Sequence, residues 1–178
     1  MTVELWAEDE HRVGLKPILR RVWAKRGQRP IVPGHHLFQW LYAYGFMHPE
    51  TGRTFLPTRP KVNVDQFNQT LADFAHLADI SPAKHCLVVL EQAAWHRSKK
   101  VSLPAGLHLV PLPAYSPELQ PAERLWPLTN EGVANQCFTD LDALTLAQRQ
   151  RCDTLQLSSQ VIRDLTLFHW WPRQHNDH

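Results

Sequence analysis

The run from Cys86 to Leu90, CLVVL, constrains the fold more than any other stretch of this chain. It is wholly apolar and centred on two β-branched valines, with His85 before it and Glu91-Gln92 after it. A helix that crosses a bilayer needs roughly 20 apolar residues, so the run is far too short for a membrane. A short apolar stretch of this kind is expected of a strand buried on both faces at the centre of a sheet. Such a sheet needs helices to cover it. The chain has 178 residues, 43% hydrophobic and 20% charged, enough for one domain with a sizeable core.

The surrounding pattern fits that layout. TVELWAED alternates Val3, Leu5 and Ala7 against Thr2, Glu4 and Trp6, a strand pattern that ends in acids. RRVWAK, HLFQWLYAYGF and TGRTFL are rich in β-favouring residues and separated by the breakers GQRPIVPG and HPETG, which predicts antiparallel strands. From Asn63, an N-cap type, Val64, Phe67, Leu71, Phe74 and Leu77 recur at helical spacing until Ile80-Ser-Pro ends the pattern. GLHLVPL predicts a further strand. A helix is expected after Pro117, and another in TDLDALTLAQRQRC, opened by a capping box of Thr139 and Asp142. The order predicts an α/β fold with a mixed sheet, antiparallel hairpins plus parallel strands, flanked by helices. In the tail HWWPRQHNDH, Trp170 and Trp171 are expected to anchor the last helix, and the histidines to lie in a polar terminus.

Neither a secretory signal nor a membrane span is visible, so a cytoplasmic location is expected. Cys86, Cys137 and Cys152 are odd in number and lack Cys-x-x-Cys spacing, which argues against a disulfide framework or a zinc site. The net charge is only +2, but its distribution is uneven. Arg12, Lys16, Arg20, Arg21, Lys25, Arg26 and Arg29 follow one another without an acid, and Arg97, Lys99 and Lys100 form a second cluster. Concentrated positive charge suits a phosphate backbone.

The acids are grouped too. Asp9 and Glu10 follow the first strand, Glu91 follows CLVVL, and Glu118 and Glu123 stand at the start of the late helix. In an open α/β sheet the strand ends present the chemistry. Carboxylates brought together there suit hard divalent cations, and two such ions about 4 Å apart can activate an attacking water and stabilise a leaving oxygen. Paired acids also serve glycosidases, but the basic clusters favour a polyanionic substrate.

Three blocks, WAEDEHRVGLKPILRRVWAKRG, VVLEQAAWHRSKK and LVPLPAYSPELQPAERLW, taken in that order, resemble the catalytic domain of insertion-sequence transposases allied to the mariner group of the DDE superfamily. The resemblance runs from about Val3 to beyond Trp126. It implies a ribonuclease-H-like fold and DNA strand cleavage and transfer at transposon ends, dependent on Mg²⁺ or Mn²⁺, with two ions. It assigns the metal-binding, catalytic acids to Asp9, Glu91 and Glu123, with Glu10, His96 and Gln120 in support. Arg97, Lys99 and Lys100, with Arg20, Arg21 and Lys25, would contact the DNA backbone. Pro113, Pro117 and Pro121 would fix φ and pre-set the turn that delivers Glu123 from the first turns of a helix.

The chain departs from the family pattern in Glu91-Gln92, where Asp-Asn is usual, and in Gln120, where Asn is usual. Each is longer by a methylene, and catalytic constellations tolerate only about half an ångström of error. The alternative is therefore a catalytically impaired remnant that keeps the fold and binds DNA or a partner subunit without sequence preference. Residues 1–178 are expected to form a single catalytic domain, with a core over about 2–135 and a helical part over about 136–172. The N-terminal helix-turn-helix region of such transposases is expected to be absent, leaving a homodimer or a separate N-terminal transposase fragment as the protein partner.

Overall fold

The computed structural model describes residues 2–34 and 37–172. Strand β1 (Thr2–Gly14) sits at the centre of the sheet. β2 (Trp40–His48) pairs with it antiparallel and β5 (Lys84–Leu90) pairs with it parallel. The order is completed by β3 (Arg53–Phe55) outside β2 and β6 (Leu107–Pro111) outside β5, while the short β4 (Thr58–Arg59) also pairs with β2. The mixed sheet expected from the sequence is present, and CLVVL lies within it on β5.

Both faces of β1 and β5 are covered, which explains why neither strand alternates cleanly. On one face α1 (Val64–Leu77) lays Phe67, Leu71 and Phe74 over Trp6, Phe46, Val88 and Leu90. The Phe46 and Phe74 rings stack at 4.3 Å. Burying one such side chain stabilises the fold by about 1.5–3 kcal/mol. The helix starts where the sequence predicts: the Asn63 side chain accepts a hydrogen bond from the Gln66 amide at 2.9 Å, satisfying one of the four unpaired N–H groups of a helix start.

On the other face Ala7, Ala43, Met47 and Val89 pack against α2 (Leu125–Asn130), α3 (Leu141–Gln156) and α4 (Ser159–Thr166), through Leu125, Trp126, Cys152, Leu155 and Ile162. Trp171 is buried in this cluster and Trp170 is partly exposed, so one tryptophan of the pair provides the anchor; the tail beyond Pro172 lies outside the described residues. Cys86 and Cys152 are buried and Cys137 is exposed, and all are free thiols. Among the described residues no helix is long and apolar enough to cross a membrane.

Four local expectations need correction. β1 does not end at its acids but continues to Gly14, held by pairing with β2 as far as Trp40. RRVWAK is not a strand: it lies in the long segment between β1 and β2, where Arg21 to Lys25 are all exposed and, among the described residues, no strand pairs with them. The cap of α3 is Asp140, whose carboxylate accepts from the Ala143 amide at 2.8 Å, while Thr139 donates to Asp140. The late helix after Pro117 is broken into two 3₁₀ turns, Pro117–Leu119 and Pro121–Arg124, before α2 begins.

Candidate functional site

Side chains alternate along a strand, so consecutive acids on β1 must separate. Asp9 points to the α2 face. Its Oδ2 accepts a hydrogen bond from Trp126 Nε1 at 2.7 Å and its Oδ1 accepts one from the Glu10 amide at 2.9 Å. Trp126 is itself held by His11, which stacks on it at 5.0 Å and bonds Asn130 through Nε2 at 2.9 Å. Asp9 pairs across the sheet with Gly45. A Cβ on Gly45 would come within 2.6 Å of the Trp126 ring, so the bare glycine is what lets the indole lie flat enough to reach Asp9.

Glu91 leaves the sheet directly after Leu90, exposed at the exit of β5, and its charge acts on Asp9. Two contacts set its backbone: His96 Nδ1 donates to the Glu91 carbonyl at 2.8 Å, and Gln92 Nε2 donates to the Leu112 carbonyl at 2.8 Å. Glu123 comes from the second 3₁₀ turn rather than from a helix. Gln120 fixes that turn to β1: it is buried, its Nε2 donates to the Glu8 carbonyl at 2.8 Å, and its Oε1 accepts from the Ala122 amide. The longer Gln at this position therefore spans the distance to the β1 backbone.

The electrostatics place the three acids in one field. Burial pushes the Asp9 acid up to about 7; the Trp126 bond pulls it down, and the charges of Glu10 and Glu91 add to the rise. Glu123 is raised by partial burial and then by Glu91, against Arg124. Glu91 thus acts on both of the others. Every side-chain charge bearing on Asp9 is negative, and the donors of all three residues are carboxylate oxygens, a set that fits a hard divalent cation. Their ligand atoms are not drawn into one tight cluster, because only Glu8, Glu10 and His96, among the described residues, bring three such atoms within 4.8 Å of one another.

Glu10 lies on the opposite, α1 face. Its Oε1 accepts from Trp95 Nε1 at 2.7 Å and lies 2.9 Å from His96 Nε2. His96 is buried against Phe67, turned inward rather than toward solvent, and Trp95, partly buried, packs against the core. Glu8, which sequence reasoning left out, is fully buried beside them. Burial, then Glu10, Asp9 and Glu91, hold its acid well above the usual carboxylate range. The signal for it was available: with Asp9 assigned to one face, alternation sends both Glu8 and Glu10 to the other. Glu118 is exposed on the first 3₁₀ turn, away from these contacts.

A groove of about 560 Å³ opens beside Glu91, lined by Gln92, Arg97, Leu112, Tyr115 and Pro117 among others. Tyr115 is fully exposed at φ 58, a left-handed conformation that costs a non-glycine residue of order 1 kcal/mol. Of the predicted basic contacts, Arg97 lines this groove and Lys99 and Lys100 are exposed next to it in sequence. Arg21 and Lys25 are exposed on the segment between β1 and β2. Arg20 is committed within the molecule, donating to the Pro127 carbonyl and lying 3.6 Å from Glu131.

Known proteins resemble this chain in sequence and in fold. The family model for DDE superfamily endonucleases matches residues 4–145. An uncharacterised protein of Sinorhizobium fredii (strain NBRC 101917 / NGR234), y4pE/y4sA, is 30% identical over 104 residues, which is 58% of this chain and 76% of that protein. The mariner Mos1 paired-end complex with Mg superposes with a TM-score of 0.63 at 14% identity, over 92% of this chain and 50% of the Mos1 chain. A pre-cleavage Mos1 transpososome gives 0.58 at 15% identity, over 94% and 57%. This chain therefore spans about half the length of the Mos1 chains it matches. At such identities the likeness establishes the fold, the ribonuclease-H-like arrangement expected from the sequence.

Proposed function

Because this chain belongs to the DDE superfamily endonuclease family, we propose that it is the catalytic domain of a transposase, cleaving and joining DNA strands with the help of Mg²⁺ or Mn²⁺. The observation that carries the reading is the electrostatic coupling of three acids from separate segments: Asp9 on β1, Glu91 at the exit of β5 and Glu123 on a 3₁₀ turn, with the charge of Glu91 acting on both of the others. These residues would hold two ions, which when bound would polarise the scissile phosphate and activate the attacking hydroxyl.

The chain's own contribution is order. Trp126 and the Glu10 amide fix both oxygens of Asp9, His96 and Gln92 fix the backbone around Glu91, and Gln120 fixes the turn before Glu123. Assembling the acids before substrate arrives lowers the entropic cost of reaching the reactive geometry. Arg97, with Lys99 and Lys100, would bind backbone phosphates beside the groove, and Arg21 and Lys25 would do so from the β1–β2 segment. Such contacts position DNA without reading its sequence. Residues 1–178 would act as one catalytic domain. A second copy of the chain is the protein partner best supported, since the β1–β2 segment exposes Trp23, Ile31 and Phe38.

The test is Mn²⁺-dependent nicking of supercoiled DNA by the parent chain, Asp9→Asn and Glu91→Asp side by side. Nicking by the parent that disappears in Asp9→Asn is expected, with Glu91→Asp at least as active as the parent. Nicking that survives Asp9→Asn, or silence from both the parent and Glu91→Asp, would overturn the reading.

A further inference from the structure

The carboxylates of Glu8 and Glu10, on the α1 face, supply no ligand to the site proposed above, yet their arrangement is chemically incomplete. Glu8 has no exposed surface and neither of its oxygens accepts a hydrogen bond. Among the described residues, the one basic group within ion-pair distance is His96, whose Nε2 lies 3.7 Å from Glu8 Oε2 and 2.9 Å from Glu10 Oε1. His96 Nδ1 is 2.8 Å from the Glu91 carbonyl, which can only accept, so Nδ1 carries the proton. In a neutral imidazole the Nε2 lone pair then faces two carboxylate oxygens. An electropositive species between them would resolve the conflict, and the three ligand atoms already lie within 4.8 Å of one another.

We propose that Glu8, Glu10 and His96 form a second divalent-cation site, on the opposite face of β1 from Asp9, suited to a transition ion such as Mn²⁺ or Zn²⁺. Two carboxylates and an imidazole match the donor preferences of those ions, whereas Mg²⁺ favours oxygen alone. At metal–ligand bonds near 2.1 Å, adjacent ligands of an octahedral ion stand about 3 Å apart, close to the 2.9 Å between His96 and Glu10. The outer contacts are of the kind that orient metal ligands: a backbone carbonyl on the far nitrogen of His96 and the Trp95 indole on Glu10. An ion there would tie β1 to the loop that carries Glu91.

The experiment uses the full chain with the other acids neutralised, Asp9→Asn/Glu91→Gln/Glu123→Gln. Equilibrium dialysis should leave one bound Mn²⁺ per chain, resistant to a tenfold excess of Mg²⁺, and pulsed electron paramagnetic resonance should show ¹⁴N coupling from the imidazole. Adding Glu8→Gln should weaken that binding at least tenfold while circular dichroism reports an intact fold. Absence of bound Mn²⁺, or Mn²⁺ without ¹⁴N coupling, would mean that a proton and not a metal completes the cluster, and the proposal fails. The resonance measurement needs no change at Glu8, so it decides the matter even if Glu8→Gln does not fold. Both readouts are independent of DNA nicking, which depends on the other acids.

Discussion

Asp9 shows how one side chain can favour metal over an empty site. Its acid sits at about 7 in the fold against an ordinary 3.8, with burial as the main cause. The folded chain therefore holds this proton more tightly than the unfolded chain does, so the stabilisation is fully present below about pH 3.8 and is lost as pH rises to about 7. In metal-free buffer, Asp9→Asn should be more stable than the parent at pH 8, by about 4 kcal/mol, and nearly equal to it at pH 3.5. Urea unfolding in EDTA at the two pH values measures this; parity at pH 8 would show that the Asp9 charge is already compensated. The same shift predicts that Mn²⁺ affinity at this site climbs between pH 6 and 7 and levels off above 8, because the cation must displace the proton. Isothermal titration of Glu8→Gln, which removes a carboxylate ligand of the other candidate site and leaves the His96 bond to the Glu91 carbonyl in place, across that range would expose a flat profile if the shift were absent.

At the scale of elements, the pairing of Asp9 with Gly45 links the sheet to α2. The Trp126 ring occupies the space that a side chain on residue 45 would fill. Gly45→Ala should push the indole away, break its bond to Asp9 and lower Mn²⁺-dependent nicking at least tenfold, with melting reduced by several degrees but the fold retained. Unchanged nicking would remove Trp126 from the positioning role. Such a packing relation is invisible in sequence, because it depends on two segments about 80 residues apart meeting across a sheet. What could be read were features settled locally: CLVVL as a buried strand, Asn63 as a cap, and the apolar spacing of α1. Arg20 to Lys25 looked like a strand from its β-favouring residues, but β preference reflects packing against neighbouring strands, and among the described residues no strand pairs with it. The three acids proposed for the site, Asp9, Glu91 and Glu123, were assigned from the ordered motifs around them. Glu8 was left out of that assignment: alternation along β1 sends it to the face opposite Asp9, but its burial follows only once the helix on that side of the sheet is known.

For the whole molecule, the question is how a chain of net charge +2 would hold a polyanion near a cluster of acids. The answer lies in placement: Arg97 lines the groove that opens beside Glu91, with Lys99 and Lys100 exposed next to it in sequence, and further cations are exposed on the β1–β2 segment. Arg20 and Arg21 are neighbours in sequence but differ in work. Arg20 bonds the Pro127 carbonyl and approaches Glu131, tying the segment to α2, whereas Arg21 is exposed. Duplex binding should therefore show little sequence preference and fall steeply with salt. Replacing Arg21 and Lys25 with Gln should reduce the slope of log K against log salt by about 0.9 for each phosphate that is no longer neutralised. Arg20→Gln should instead lower thermal stability and leave that slope nearly unchanged. Fluorescence anisotropy at four salt concentrations, paired with thermal melts, separates the two. If the slope falls equally in both variants, Arg20 has left its internal partners to bind DNA, and the segment is rebuilt when the substrate arrives.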